Sequence, residues 1–364
     1  MYKRQPWRPS AGVTESGLTI KDLENSDLTY EKKHELNIGA DLGFLDNRIN
    51  LTVDWYKRDN FDLIGRVMTQ GIGGQIQKYG NVATMKSRGI EFSLSTKNIK
   101  TKDFSWTTDF IYSHMKNEVT KFNTSTRAFN LVSGIGFSRE GYPVNSLFSY
   151  DFRGLNEDGV PTFINEAGVL TSTDINFQET ERFDNLVYSG PSEPTDVGSF
   201  GNIFQYKGLR LNVFITYSFG NVVRLDPVFS SIYNDLDAMP REFRNRWMTP
   251  GDERYTDVPA IVSSRQVRND SKLSYAYNAY NYSTARIAKG DFIRMKEISL
   301  TYDFPKRWIK KLRMSNLALK IQATNLFLIY ADKKLNGQDP EFFNSGGVAT
   351  PVPKQFTLTL KIGL

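Results

Sequence analysis

Residues 35–57 alternate strictly between apolar and polar side chains on either side of a short turn at 45–48. The apolar positions are Leu36, Ile38, Ala40, Leu42 and Phe44 before the turn, and Ile49, Leu51, Val53 and Trp55 after it. A period of two residues predicts a β-hairpin with a tight Asp-Asn turn. Each arm has about ten residues, the length that a tilted strand needs to cross a bilayer, whereas strands of soluble sandwiches are usually about half as long.

The same alternation recurs along the rest of the chain, and short and long connections follow one another. The further segments are 90–95 with 104–113, 146–155 with 160–164, 200–206 with 209–219, 291–304 with 317–328, and a last strand at 356–364. This gives about eleven strands, and short turns on the periplasmic side with long outer loops are typical of outer-membrane barrels. The pattern therefore predicts an all-β, transmembrane antiparallel β-barrel with a periplasmic C-terminus.

The composition agrees with a barrel and with few other membrane folds. The mean hydropathy of the 364 residues is −0.44, and the sequence contains no apolar run of the length that a transmembrane helix requires. Barrel strands face lipid with alternate residues only, so their average hydropathy resembles that of soluble proteins. Aromatic residues make up 13% of the chain, which suits interfacial girdles and also soluble β-proteins.

The residue types exclude several kinds of chemistry. The chain has no cysteine, two histidines and a net charge of +6, and its charges are interspersed, so we predict no disulfides, no nucleic-acid binding, no cofactor and no metal site. The turn at 156–159 and the acidic residues Asp252, Glu253 and Asp257 are interpreted as solvated loops rather than cation sites. No nucleophile, base and orienting group can be assembled, so we predict that the protein is not an enzyme.

Two sets of residues are candidates for function. Aromatic side chains bind sugars through an apolar face and a polar edge, and the candidate substrate-binding residues are Trp247, Tyr275, Tyr277, Tyr280 and Tyr282. The alternative is that these rings pack in loops or form an interfacial girdle. The last strand carries the residues expected to direct membrane insertion, which are Phe356, Leu358, Leu360, Ile362 and Leu364.

Several segments of the sequence resemble the SusC/RagA family of TonB-linked outer-membrane transporters. The segments that carry the resemblance lie at 25–45, Asn81–Leu94, Phe152–Phe163, Tyr206–Asn221, Asn245–Asp252, Gly290–Pro305 and Pro351–Leu364. The resemblance implies a 22-stranded barrel, of which this chain provides the C-terminal half, and import of oligosaccharides or peptides. It also implies a SusD-like surface lipoprotein as partner and energy supplied through TonB. Family members commonly end in an aromatic residue, whereas this chain ends in Leu364.

The resemblance divides the chain at about residue 30. We expect 1–30 to be an irregular or partial strand segment and 31–364 to be the C-terminal half of the barrel. A signal peptide, a TonB box and a plug domain are not recognised, so we expect the N-terminal half of the barrel, with its plug, in the same or a separate chain. Two alternative functions are a soluble or surface carbohydrate-binding β-protein and a passive porin-type barrel.

Overall fold

The computed structural model describes residues 2–7, 15–20, 25–69, 71, 76–124, 126–133, 136–228, 241–311, 314–343 and 353–363. At 2–7, 15–20, 310 and 311 only the backbone is described. The strands are β1 (Tyr2–Trp7), β2 (Glu15–Ile20), β3 (Lys32–Phe44), β4 (Ile49–Met68), β5 (Gln77–Lys100), β6 (Phe104–Phe122), β7 (Ser146–Tyr150), β8 (Phe152–Leu155), β9 (Pro161–Ile164), β10 (Leu170–Thr171), β11 (Leu186–Pro191), β12 (Asp196–Tyr206), β13 (Leu209–Phe219), β14 (Val222–Arg224), β15 (Ile287–Lys289), β16 (Phe292–Asp303), β17 (Asn316–Ala331) and β18 (Gln355–Gly363).

The helices are short and lie between strands. The α-helices are α1 (Ala128–Val132), α2 (Ser264–Asn269), α3 (Leu273–Asn281) and α4 (Lys306–Lys311). The 3-10 helices are Arg241–Asn245, Asp252–Arg254, Thr284–Arg286, Lys333–Leu335 and Pro340–Phe342. None of the helices in the described ranges combines the length and the apolar composition needed to span a membrane.

Nine strands form one antiparallel sheet, which we call the wall, in the order β3-β4-β5-β6-β12-β13-β16-β17-β18. Each strand pairs with its neighbour in the chain once the insertions are skipped, so the wall is a meander. Strand β5 has 24 residues and β4 has 20, about twice the length needed to cross the hydrocarbon layer. The prediction of an antiparallel sheet of long strands is confirmed.

The register aligns apolar residues of neighbouring strands in rows on one face of the wall. Across five strands, Leu42 pairs with Leu51, Leu51 with Leu94, Leu94 with Phe110, and Phe110 with Phe200. The row formed by the next residues, on the opposite face, is Gly43, Asn50, Ser95, Asp109 and Gly201. Because successive side chains of a strand point to opposite faces, we call these the apolar face and the polar face.

The first hairpin turns through three consecutive residues with left-handed backbone. Leu45, Asp46 and Asn47 have φ values of 53°, 52° and 59°, and Arg48 N–H donates to the carbonyls of Phe44 and Leu45 at 3.1 Å. Asp and Asn adopt this conformation readily, whereas it is unfavourable for leucine. The predicted turn is confirmed in position, and its geometry uses one more left-handed residue than a two-residue Asp-Asn turn.

The described parts of the two long insertions, 126–133 with 136–195 and 220–228 with 241–291, fold together into what we call the loop unit. One buried cluster draws Leu131, Phe148 and Phe163 from the first insertion and Phe243 and Tyr280 from the second. The loop unit is attached to the polar face of β6, where the side chain of Asn117 accepts from Val144 N–H at 2.7 Å.

The structure differs from the sequence-based assignment in one segment. Residues 146–164, predicted as a wall hairpin, form β7, β8 and β9 inside the loop unit. All five residues of β7 are buried, so this strand has no exposed face. Within 1–30, expected to be an irregular or partial strand segment, the described residues include the antiparallel pair β1 and β2, with Tyr2 opposite Ile20.

Candidate functional site

Helix α3 separates the predicted tyrosine cluster into buried and exposed members. Tyr277 and Tyr280 are each 2% exposed, and Tyr275 is 47% exposed. Residues that follow one another at three- and four-residue spacings share a face of a helix, and Ala276, Tyr277 and Tyr280 take the inner face here. Two of the five candidate rings are therefore packing residues of the loop unit in this structure.

The buried tyrosines have defined partners inside the loop unit. The hydroxyl of Tyr277 donates to the carbonyl of Ala260 at 2.8 Å. The ring of Tyr280 meets that of Phe152 edge to face, with centroids 5.5 Å apart, and the guanidinium of Arg286 lies 6.0 Å from its centroid. Burial raises the pKa of Tyr277, and that of Tyr280 to about 12, so both hydroxyls are neutral at physiological pH.

A second group of rings, which we call the aromatic patch, combines the exposed side chains of Phe129 and Tyr275 with the half-buried side chains of Phe177 and Tyr282, which also pack against the buried cluster. Tyr275 lies 6.1 Å from Phe177, and Phe129 lies 5.9 Å from Tyr282, both between ring centroids. The N–H of Phe129 donates to the carbonyl of Phe177 at 3.0 Å, which joins the two pairs. The patch offers apolar ring surface with the hydroxyl groups of two tyrosines.

Phe129 and Phe177 were not identified from the sequence. They lie in segments of the first insertion without regular periodicity, and only the contact between the two insertions brings them beside Tyr275 and Tyr282. No local pattern marks such long-range neighbours.

Trp247 lies outside the aromatic patch and packs over the turn at 156–159. A Cβ added to Gly159, whose φ is +72°, would lie 2.5 Å from Cδ2 of the indole. The indole Nε1–H donates to Oε2 of Glu253 at 3.2 Å. The ring therefore covers a glycine of the β8–β9 connection, and its role as a sugar platform stays a prediction.

The acidic residues beside Trp247 bind their own loop. Asp252 accepts from the N–H groups of Met248 and Thr249 at 2.9 Å, and Glu253 accepts from Gly251 N–H at 2.8 Å. These backbone donors lower the pKa of both carboxyl groups. Within the described residues, no group of three or more histidine, aspartate or glutamate side chains has the arrangement to hold a metal ion.

Two buried arginines hold the loop unit together. Arg224 donates from Nη2 to the carbonyl of Phe148 at 2.7 Å and to Ser149 Oγ at 3.3 Å, and burial lowers its pKa to about 10. Arg286, 3% exposed, forms an ion pair with Glu242 at 2.7 Å. Both arginines therefore link segments that are distant in sequence.

A pocket of about 200 Å³ lies where the loop unit meets the wall. Its lining includes Met115 of β6, Val144, Tyr188 and Pro191 of the loop unit, and Thr195 before β12. Because both β6 and the loop unit contribute lining residues, the shape of the pocket depends on how the loop unit packs against β6.

The last wall strand exposes the predicted insertion residues along the apolar face. Phe356, Leu358, Leu360 and Ile362 are 73%, 69%, 57% and 47% exposed, and all four pair with β17 in unbroken register. Leu364 lies outside the described residues. The strand presents a continuous apolar stripe, and its role in membrane insertion stays a prediction.

Comparison with known proteins gives the following similarities. Residues 6–326 match the family described as TonB dependent receptor-like, beta-barrel. The chain is 27% identical over 357 residues to the TonB-dependent receptor SusC of Bacteroides thetaiotaomicron, covering 93% of this chain and 32% of that protein. It is 26% identical over 344 residues to the TonB-dependent receptor P3 of Formosa agariphila, covering 90% and 32%.

Solved structures agree on the fold. The RagAB peptide transporter matches with a TM-score of 0.78 at 24% identity, covering 100% of this chain and 38% of that chain. The chain spans about a third of the length of the curated relatives it matches. The predicted fold class, part of an antiparallel β-barrel of the TonB-dependent type, is confirmed.

Proposed function

The chain belongs to the TonB-dependent receptor β-barrel family, and we propose on that basis that it forms the C-terminal portion of a SusC/RagA-type importer barrel in the bacterial outer membrane. The observation that carries this proposal is the apolar face of the wall. Side chains such as Ile38 and Leu358 are 59% and 69% exposed, and the register joins them into one surface. Such a surface is stable against lipid, whereas water would make it an aggregation site.

The orientation follows from the two ends of the wall. The turns at 45–48, 101–103 and 207–208 lie at one end, and the loop unit lies at the other. Barrels of this class keep short turns in the periplasm and long loops outside. We therefore propose that the loop unit faces the exterior and that β18 ends in the periplasm.

The remainder of the transporter would complete this wall. In the described residues, one edge of the sheet is β3 and the other is β18, and unpaired strand edges are costly in a hydrocarbon layer. We propose that an N-terminal half of the barrel, carrying the plug and the contact with TonB, pairs with both edges. It would belong to the same or a separate chain.

The solute is proposed to be an oligosaccharide or a peptide that the loop unit receives from a SusD-like lipoprotein. The aromatic patch supports a solute with apolar faces and hydrogen-bonding edges, because ring faces bind both sugar rings and peptide side chains. Transport requires no covalent step, so the protein acts without enzymatic chemistry. Of the predicted binding residues, Tyr275 and Tyr282 are the members that lie in the aromatic patch, while Trp247 is a separate candidate.

Fractionation of the natural protein tests this function. We expect it in the outer membrane, released only by detergent, and copurifying with plug and TonB-box peptides and with a surface lipoprotein identified by mass spectrometry. A protein that dissolves without detergent as a monomer would contradict the importer and support the carbohydrate-binding alternative. A barrel without a plug or a lipoprotein would instead support a porin.

Substitution in the aromatic patch tests the solute site. We expect Tyr275→Ala to raise the solute concentration needed for half-maximal import, because a ring face worth about 1 kcal/mol is lost. The matched control is Tyr255→Ala, which removes an 89% exposed tyrosine outside the aromatic patch. Equal import by both variants and the natural protein would show that the aromatic patch does not bind the solute.

A further inference from the structure

Three cationic residues stand side by side on the apolar face of the wall. Lys57 of β4 pairs directly with Arg88 of β5, and Arg88 pairs directly with Lys116 of β6. All three side chains are exposed. Directly opposed residues on one face have Cβ atoms about 5 Å apart, and like charges in that position destabilise a sheet. We call these three residues the basic row.

The basic row lies where the apolar face ends. In β4 the residues of this face are Ile49, Leu51, Val53 and Trp55, followed by Lys57. Lys57 is eight positions beyond Ile49, so it lies about 27 Å farther along the strand. For a strand tilted by about 40°, this corresponds to about 21 Å along the membrane normal from the short-turn end, close to the height of the apolar band of such barrels. Cations here reach the level of lipid headgroups.

Within the described part of the chain, no ion pair neutralises the basic row. None of the three residues forms a salt bridge with any residue in the described ranges. The next row away from the apolar band has alternating signs, because Asp59 pairs with Lys86 and Lys86 with Glu118. Together, the two rows carry four cations and two carboxylates, so an excess positive charge remains at the membrane boundary.

We propose that the basic row binds the phosphate group of an anionic lipid in the outer leaflet. Arginine and lysine form short, charge-assisted hydrogen bonds with phosphate oxygens, and a phosphate removes the repulsion between the three cations. The lipid chains then lie along the apolar face below, against Trp55 and Ile90, which occupy the adjacent row. The bound group is a lipid headgroup, because the cations border an apolar surface.

Lipid retention by the natural protein tests this binding site. The outer-membrane protein is purified in mild detergent, washed in about 10 mM inorganic phosphate, and assayed for bound lipid phosphorus and by native mass spectrometry. We expect Lys57→Gln/Arg88→Gln/Lys116→Gln to retain about tenfold less lipid phosphorus, because the charge-assisted bonds are lost. Lys57→Arg/Lys116→Arg should retain the lipid.

The control removes the same charge elsewhere. Lys100→Gln/Lys102→Gln/Lys361→Gln changes three exposed lysines at the short-turn end, and we expect it to bind as much lipid as the natural protein. Equal retention by the row variant and the natural protein would overturn the proposal, as would equal loss in the control. Loss of all lipid in the phosphate wash would show a free-anion site instead.

Two further readouts keep the outcome interpretable. Without lipid, the row variant should unfold at the same or a higher temperature than the natural protein, because three repelling charges are gone. If it does not fold, Lys57→Gln and Lys116→Gln measured singly decide by the same criterion. The proposal rests on the proposed membrane location: absence from outer membranes would refute that location, whereas membrane residence with unchanged lipid retention refutes the basic row alone.

Discussion

The wall and the loop unit bury their apolar residues in opposite ways. Among the described residues of the nine wall strands, the buried apolar side chains are Tyr56, Val82 and Val119. The loop unit, in contrast, contains clusters whose members, such as Phe148 and Phe163, are fully buried. The loop unit therefore supplies its own apolar interior, while the wall depends on a second phase outside the protein. Hydrophobic stabilisation is proportional to the area removed from water, so the two regions should respond differently to mutation and to lipid.

Truncating a core ring of the loop unit should give the largest difference between the regions. Phe148 is 0% exposed and packs against Tyr142, with ring centroids 5.0 Å apart. We expect Phe148→Ala to cost about 3–5 kcal/mol, through lost burial and a cavity. Amide hydrogen exchange in the detergent-purified protein should accelerate across the loop unit.

The control for this change is Phe129→Ala, since Phe129 is 41% exposed and its truncation leaves no enclosed cavity. Exchange in the wall should change little with either variant. Equal acceleration in β5 and in the loop unit with Phe148→Ala would mean that the two regions unfold as one cooperative unit, and the contrast between them would then be wrong.

A charge on the apolar face should produce the next largest effect. We expect Leu94→Arg to destabilise the protein by about 2–4 kcal/mol in lipid, because the cation replaces a lipid-facing leucine. The neighbouring Ser93 is exposed on the polar face, and Ser93→Arg should be tolerated. Urea unfolding in vesicles measures both; equal costs for the two arginines would contradict the assignment of the faces.

The wall was largely predictable because its signal is local. Alternation fixed the first hairpin, and 200–206 with 209–219 appear as β12 and β13, extended by a few residues only at the start of β12. A strand that faces lipid on one side and a polar interior on the other must alternate, since each face has one environment. Nothing in such a pattern depends on distant residues.

The loop unit was less predictable because its faces are set by contacts between the two insertions. The alternating segment 146–150 suggested a wall strand, yet neighbouring segments cover both of its faces. The tyrosines of 273–281 were grouped as one binding cluster because they are abundant there. The spacing of Leu273, Ala276, Tyr277 and Tyr280 instead indicates one buried face of a helix. Helical periodicity was therefore the signal that could have separated Tyr275 from its buried neighbours.

Two glycines of the loop unit provide a smaller, matched perturbation. Gly159 and Gly168 have φ values of +72° and +75°, but a Cβ would meet Trp247 at Gly159 and no atom within 4 Å at Gly168. We expect Gly168→Ala to cost about 1–2 kcal/mol from backbone strain alone. Gly159→Ala should lower the free energy of unfolding by more than Gly168→Ala, because the Trp247 indole must also move. The quenching of Trp247 fluorescence should change only in Gly159→Ala.

This pair separates strain from packing within one region. Similar costs for the two alanines, with unchanged fluorescence, would show that the indole moves aside without loss and that Trp247 is not fixed over the turn. If the indole of Trp247 is not fixed over the turn, it would be a better candidate for a solute-binding ring.

Titration of Asp252, on the surface of the loop unit, should have the smallest effect. Asp252 accepts two backbone N–H bonds, which lower the pKa of its carboxyl group in the folded state. The contribution to stability is therefore complete above the unfolded pKa of about 3.9 and disappears as the pH falls through the lower folded value. We expect exchange at 248–252, normalised to the intrinsic rate at each pH, to lose protection in this acidic range. Asp252→Asn should lack most of this pH dependence; a variant that keeps it in full would assign the titration to another group.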